Sequence, residues 1–215
     1  MKTTKLTARI FGISFLIGYF SYGIGFGHLN SIMNSADSLL YFSKHKNVIL
    51  FDAAILMAIF APINIVLGII MTPIFKSFNQ TLTYGYLCFS VVSSTLLIIG
   101  AIFLLTSLNL SDHIGNSNSQ LFFELLKSAN FYSYQIGMFF WGIGGILFSY
   151  LLLISRIVPK WLSIWGIIGY IIFISGAIFA IFGFKIDIYL DIPGGLFELF
   201  LSFWFIFKGF NLQEK

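Results

Sequence analysis

Trp161–Gly183 reads WLSIWGIIGYIIFISGAIFAIFG, a run with no charge, no proline and no amide side chain. As a helix rising ~1.5 Å per residue it is about 34 Å long, enough to cross the ~30 Å hydrocarbon layer of a bilayer. A helix of a soluble core needs only one apolar stripe, whereas this one is apolar on every side. Five further stretches share this character, so the spans are read at about 8–27, 48–75, 81–107, 131–155, 161–183 and 192–209. Backbone in hydrocarbon must satisfy its own hydrogen bonds, and these runs are too long and too uniformly apolar for barrel strands. The expected fold is an all-α membrane protein, a six-transmembrane-helix bundle forming one domain over residues 1–215.

Composition agrees. Of the 215 residues 58% are hydrophobic and 9% charged, with 27 Phe, and the mean hydropathy is +0.94. Soluble domains carry about a quarter charged residues. The connections are too short for a separate soluble unit. The formal net charge of +4 does not point to nucleic acid, because the cations are scattered between spans rather than gathered in a stripe. Their distribution reports orientation instead. Lys2, Lys5, Arg9, Lys76, Arg156, Lys160, Lys208 and Lys215 fall on one side, and Lys44, Lys46, Lys127 and Lys185 on the other. The second side also holds Asp37, Asp112, Glu124, Asp187 and Asp191. By the positive-inside rule both termini are cytoplasmic, and the expected location is the inner (plasma) membrane.

Met1–Gly27 has the outline of a secretory signal, with cations ahead of an apolar run. That run is long for one and lacks an A-x-A cleavage site, so an uncleaved first span is expected. Cys88 is the only cysteine, which excludes an intramolecular disulfide and a thiolate metal cluster within one chain.

Two of the outward connections are longer than the inward ones, and each of these contains a segment suited to a short interfacial helix. These are Ser35–Ser43, with a candidate cap at Asn34, and Ser119–Ser128, with Leu121, Phe122, Leu125 and Leu126 opposed to Glu124 and Lys127. Small residues recur at helix-contact spacing: Gly166, Gly169, Gly176, Ala180 and Gly183 in the fifth span, and Ser133, Gly137, Gly144, Gly145 and Ser149 in the fourth. The third span carries Ser90, Ser93, Ser94 and Gly100. Tyr22, Tyr41, Tyr132, Trp161, Trp165 and Tyr189 sit where interfacial anchors belong.

Asp52 and Glu198 are the carboxylates expected inside spans, both in the outer part of the membrane. An ionisable residue there is costly and calls for a partner, a water-filled cavity or a task. Three readings stand open. Each acid fixes helix register through polar neighbours; the two approach and share a proton; or they hold a cation or lipid headgroup, helped by His28, Asn30, Tyr134 or Gln135. The candidate ligand-binding set is Asp52, Glu198, Gln135, Asn30 and His28. His28, His45 and His113 show no metal-ligand spacing, and HExxH is absent, so no metal or other cofactor is expected. Asn64, beside Pro62, is expected to satisfy the backbone freed by that proline or to mark a passage. Nucleophile-elbow and P-loop motifs are also absent, leaving no catalytic assignment.

Several stretches together resemble a family. They are KLTARIFG at Lys5–Gly12, DAAILM at Asp52–Met57, NQTL at Asn79–Leu82, PKWL at Pro159–Leu162 with Gly169 and Tyr170 following, and ELFLSFWFIFKG at Glu198–Gly209. In order and spacing they resemble the bacterial membrane family catalogued as domain of unknown function 4386. The resemblance implies a polytopic membrane protein without an assigned activity, and it includes Asp52 and Glu198. The chain departs from the family's pattern at Ser90 and Ser93, where an Arg and a Glu are common, and at Asn130, where a His is common. The working expectation is a protein that binds or transports a small molecule, cation or lipid headgroup. The alternatives are a structural partner of another membrane protein, a homo-oligomer included, and a lipid-acting intramembrane enzyme.

Overall fold

The computed structural model describes residues 2–33, 38–112, 117–184 and 186–211, without the side chains at 2–4, 22, 24–33, 38, 57, 111, 112, 117, 187 and 188. Asn34, Asp37, His113 and Lys185 lie outside it. The described residues are helical, with no strand among them. In chain order the α-helices are α1 (Lys2–Met33), α2 (Ser38–Lys44), α3 (Lys46–Ile55), α4 (Ala61–Phe75), α5 (Gln80–Leu108), α6 (Ser117–Ser155), α7 (Lys160–Ile181) and α8 (Asp187–Phe207). A π-helical stretch, Leu56–Phe60, joins α3 to α4. Five helical segments, Lys46–Phe75, Gln80–Leu108, Asn118–Ser155, Lys160–Ile181 and Tyr189–Phe207, are long and apolar enough to cross a membrane.

Local chemistry sets the boundaries. The Asn79 side chain accepts the Leu82 N–H at 2.9 Å and starts α5, as an N-cap amide does. Gly183 has φ +85°, where a Cβ is disfavoured. Its N–H reaches the Ala180 carbonyl and that of Phe184 the Phe179 carbonyl, closing α7. Gly183 is therefore a cap rather than part of the small-residue stripe, and no neighbouring atom lies within 4 Å of a Cβ built there. The Ala61 N–H reaches back five residues to the Leu56 carbonyl. This wider turn precedes Pro62, whose ring disfavours the ordinary four-residue repeat.

Two expectations change. Ser119–Ser128 is not a separate short helix. Nothing between Ser117 and Ile136 breaks a helix, so the segment runs into α6, which is 39 residues long. Nor does the last helix begin near Pro193. It starts at Asp187 and carries Pro193 inside it.

The long helices form a ring. Successive helices pack from α4 through α5, α6 and α7 to α8, and α1 closes the circle by contacting α8 on one side and α3, the π turn and α4 on the other. At the end that carries the chain termini the ring is filled by Ala8, Phe11, Phe75, Phe148, Ile157 and Phe205. Lys5 and Arg9 flank this plug at the start of α1, and the Arg9 guanidinium donates to the Ile206 carbonyl. A smaller core at the far end joins Leu39 and Phe42 of α2 to Ile49, Leu104 and Phe123. Polarity is inverted relative to a water-soluble protein. Ser93, Ser94, Ser149, Ser163 and Thr83 are fully buried while Ile10, Ile13, Ile17 and Phe20 face outward, the arrangement by which small polar residues let membrane helices approach.

Candidate functional site

Asp191, Gly195 and Glu198 follow one another on α8 at four and three residues, which places them on one helix face. Because α8 begins at Asp187, Glu198 stands at the middle of a 21-residue helix, about 16 Å from its start. It is deeper within its helix than a start near Pro193 implies. The Glu198 carboxylate is tied to two other helices. Its Oε1 accepts the Tyr170 hydroxyl of α7 at 2.8 Å and the Trp141 indole N–H of α6 at 3.2 Å.

Small residues make that meeting possible. A Cβ on Gly145 of α6 would lie 2.5 Å from carbons of the Tyr170 ring. A Cβ on Gly169 of α7 would lie 3.2 Å from the Gly194 Cα of α8. Backbones at this separation bring side chains from three helices to one carboxylate. Trp165, expected as an interfacial anchor, turns its indole N–H to the Pro193 carbonyl at 3.2 Å and joins α7 to α8.

Glu198 opens onto a cavity of about 440 Å³. Phe15, Gly18, Tyr19 and Gly23 form the α1 wall; Phe60 ends the π turn, and Ile63, Asn64 and Leu67 continue that wall on α4. Met138 and Trp141 of α6 and Phe173 of α7 line the rest, facing Asp191, Gly195 and Glu198. The walls are mostly apolar, with a few convergent polar groups, the usual make-up of a small-molecule site. Towards the termini the floor is closed by aromatic packing, with the Phe11 ring 5.6 Å from Phe15 and 5.3 Å from Phe205.

Asn64 does not serve the Pro62 kink. Its side-chain N–H groups go to the Ser94 hydroxyl at 2.8 Å and the Ser90 carbonyl at 3.2 Å, tying α4 to α5. The π turn accommodates the proline instead. Behind Asn64 a second cavity of about 20 Å³ reaches Tyr86, Ser90 and Tyr170, roughly the room one water occupies.

The candidate residues are distributed as follows. Glu198 is in the cavity wall. Asp52 is fully buried on α3, six residues after that helix begins, and is not among the cavity-lining residues. Gln135 is buried on α6 and also stands apart from the lining, whereas Tyr134 packs with Phe60, Leu97 and Met138. His28 and Asn30 belong to α1, and their side chains lie outside the described residues. Sequence reasoning missed Asp191, which it counted as a loop charge. The four- and three-residue spacing from Asp191 to Gly195 and Glu198 was the available signal. Tyr19, Trp141 and Tyr170 carried none, since single aromatics are ordinary in spans.

The fold and cavity define a class: a helical bundle of the membrane type, apolar outside, with an internal pocket bearing a carboxylate. Residues 10–209 match the family described as a domain of unknown function, DUF4386, and the chain belongs to that family. No curated protein and no solved structure matches the chain.

Proposed function

We propose that this is a bacterial inner-membrane protein that binds a small amphipathic molecule in the ring cavity. Six helices cross the bilayer, α1 being the sixth, and both termini are cytoplasmic. The orientation is supported by the cations on the connections nearest the termini, Lys5, Arg9, Lys76, Arg156, Lys160 and Lys208. The observation that carries the binding reading is the 440 Å³ cavity, within the ~300–1,000 Å³ range of small-molecule sites. A closed aromatic floor favours binding from the far half over an open passage.

The approach to the cavity lies between α1 and α8. A Cβ on Gly12 would be 2.6 Å from the Ser202 carbonyl oxygen, whereas one on Gly23 would meet nothing within 4 Å. The helices part towards the far end, and Ile192 and Leu196 beside the gap are exposed. An amphipathic molecule dissolved in the bilayer reaches such a gap directly.

Gly23→Phe adds bulk at the cavity wall, where a Cβ meets no described atom within 4 Å. In protein purified in lipid nanodiscs, native mass spectrometry is expected to detect a co-purifying small molecule in the wild type and several-fold less in Gly23→Phe. Equal occupancy in both, together with one stable protein partner, would replace this reading with that of an assembly partner.

A further inference from the structure

We infer that the cavity selects an organic cation, an ammonium group on an apolar body, with Glu198 as its counter-charge. The inference rests on the binding reading above and adds the chemistry of the ligand. The two described hydrogen bonds to the Glu198 side chain come from Tyr170 and Trp141. Both donors are neutral, so they orient the carboxylate without offsetting its charge. No Lys, Arg or His is among the residues that line the cavity.

Other classes of occupant fit less well. An anion would meet the Glu198 carboxylate in the cavity wall, and like charges repel. Ca2+ or Mg2+ needs a shell of about six or more oxygens, and a transition metal a cluster of His, Cys or carboxylate ligands, which is absent among the described residues. These walls are chiefly Phe, Ile, Leu, Met and Gly. A neutral apolar molecule would fill the space but draw nothing from Glu198, since it neither pairs with a carboxylate nor donates a hydrogen bond to it.

An ammonium group meets both features at once. Its charge pairs with Glu198, and its surface rests on aromatic faces, which attract cations through the ring quadrupole. Aromatic rings are present there. Tyr19, Phe60, Trp141 and Phe173 line the cavity, and the Phe60 and Trp141 rings are 5.8 Å apart at 38°.

The test uses three probes that differ only in the head group, 4-phenylbutylamine, 4-phenylbutanol and 5-phenylpentanoate, titrated against the full chain in nanodiscs of neutral lipid. The amine is expected to bind about ten-fold more tightly than the alcohol, with the carboxylate weakest. Glu198→Gln keeps a carbonyl to accept from Tyr170 and Trp141 and should remove the amine's advantage while the alcohol still binds. Phe173→Leu should reduce amine affinity several-fold and leave the alcohol nearly unchanged, which tests the aromatic face should Glu198→Gln fold poorly. Equal binding of amine and alcohol to the wild type, or an amine preference that survives a folded Glu198→Gln, would overturn the cation inference and leave the cavity reading standing. No binding of any probe, with Gly23→Phe indistinguishable from wild type in occupancy, would overturn the cavity reading as well.

Discussion

At the scale of single residues, Tyr170 does more than fill space. Its ring is held against Gly145 of α6 while its hydroxyl, at 2.8 Å, orients Glu198 of α8. Tyr170→Phe keeps the packing and deletes this one bond. Hydrogen bonds between membrane helices average about 0.6 kcal/mol and reach about 1.7 kcal/mol, and a charged acceptor favours the upper part of that range. A loss of about 1–1.7 kcal/mol is expected in a reversible denaturant titration of the variant. No change would mean that Trp141 alone positions the carboxylate. Glu198 was legible as a candidate because an acid in an apolar run is costly to keep. Its donors were not, because neither a tyrosine nor a tryptophan costs anything unusual there.

Among the elements, the contact of α6, α7 and α8 sets the geometry of the site. Gly145→Ala adds a methyl group where the Tyr170 ring already lies, so the ring or the helix must shift. Overpacking of this kind costs about 1–3 kcal/mol. The variant should unfold at lower denaturant and also lose Glu198-dependent binding of the amine probe, since Tyr170 moves with the clash. A destabilised variant that kept full binding would separate packing from the site. The small-residue spacing in the fourth and fifth spans was readable in advance, because close helix approach in lipid requires it. Its division of labour was not readable. Gly183 looks like Gly169 in a list of spacings, and only its φ of +85° marks it as a cap. The start of α8 was misplaced for a related reason. Pro193 reads as a boundary, since proline breaks helices in water, but neighbouring helices let a membrane helix keep it.

For the whole molecule, α1 closes the ring, and the distribution of charge between the two ends carries the proposed orientation. Cys88 is the only cysteine, so Cys88→Ser gives a background for labelling. A membrane-impermeant maleimide added to intact cells should modify His45→Cys and leave Ser77→Cys and Lys208→Cys untouched until the cells are opened. Labelling of Ser77→Cys from outside would invert the proposed orientation. The apolar lengths of the helices and the uneven count of cations in alternate connections were legible in the sequence alone. Both are one-dimensional quantities: a bilayer measures contiguous apolar length, and cations are counted loop by loop. Only the tertiary structure decided that Glu198 and Asp191 share a cavity wall, that Asp52 and Gln135 lie elsewhere, and that Trp141 and Tyr170 meet at one carboxylate. The reason is that in lipid the inward and outward faces of a helix are both apolar. Hydropathy therefore does not specify how each helix is turned about its axis, and the packing of small residues between neighbours does.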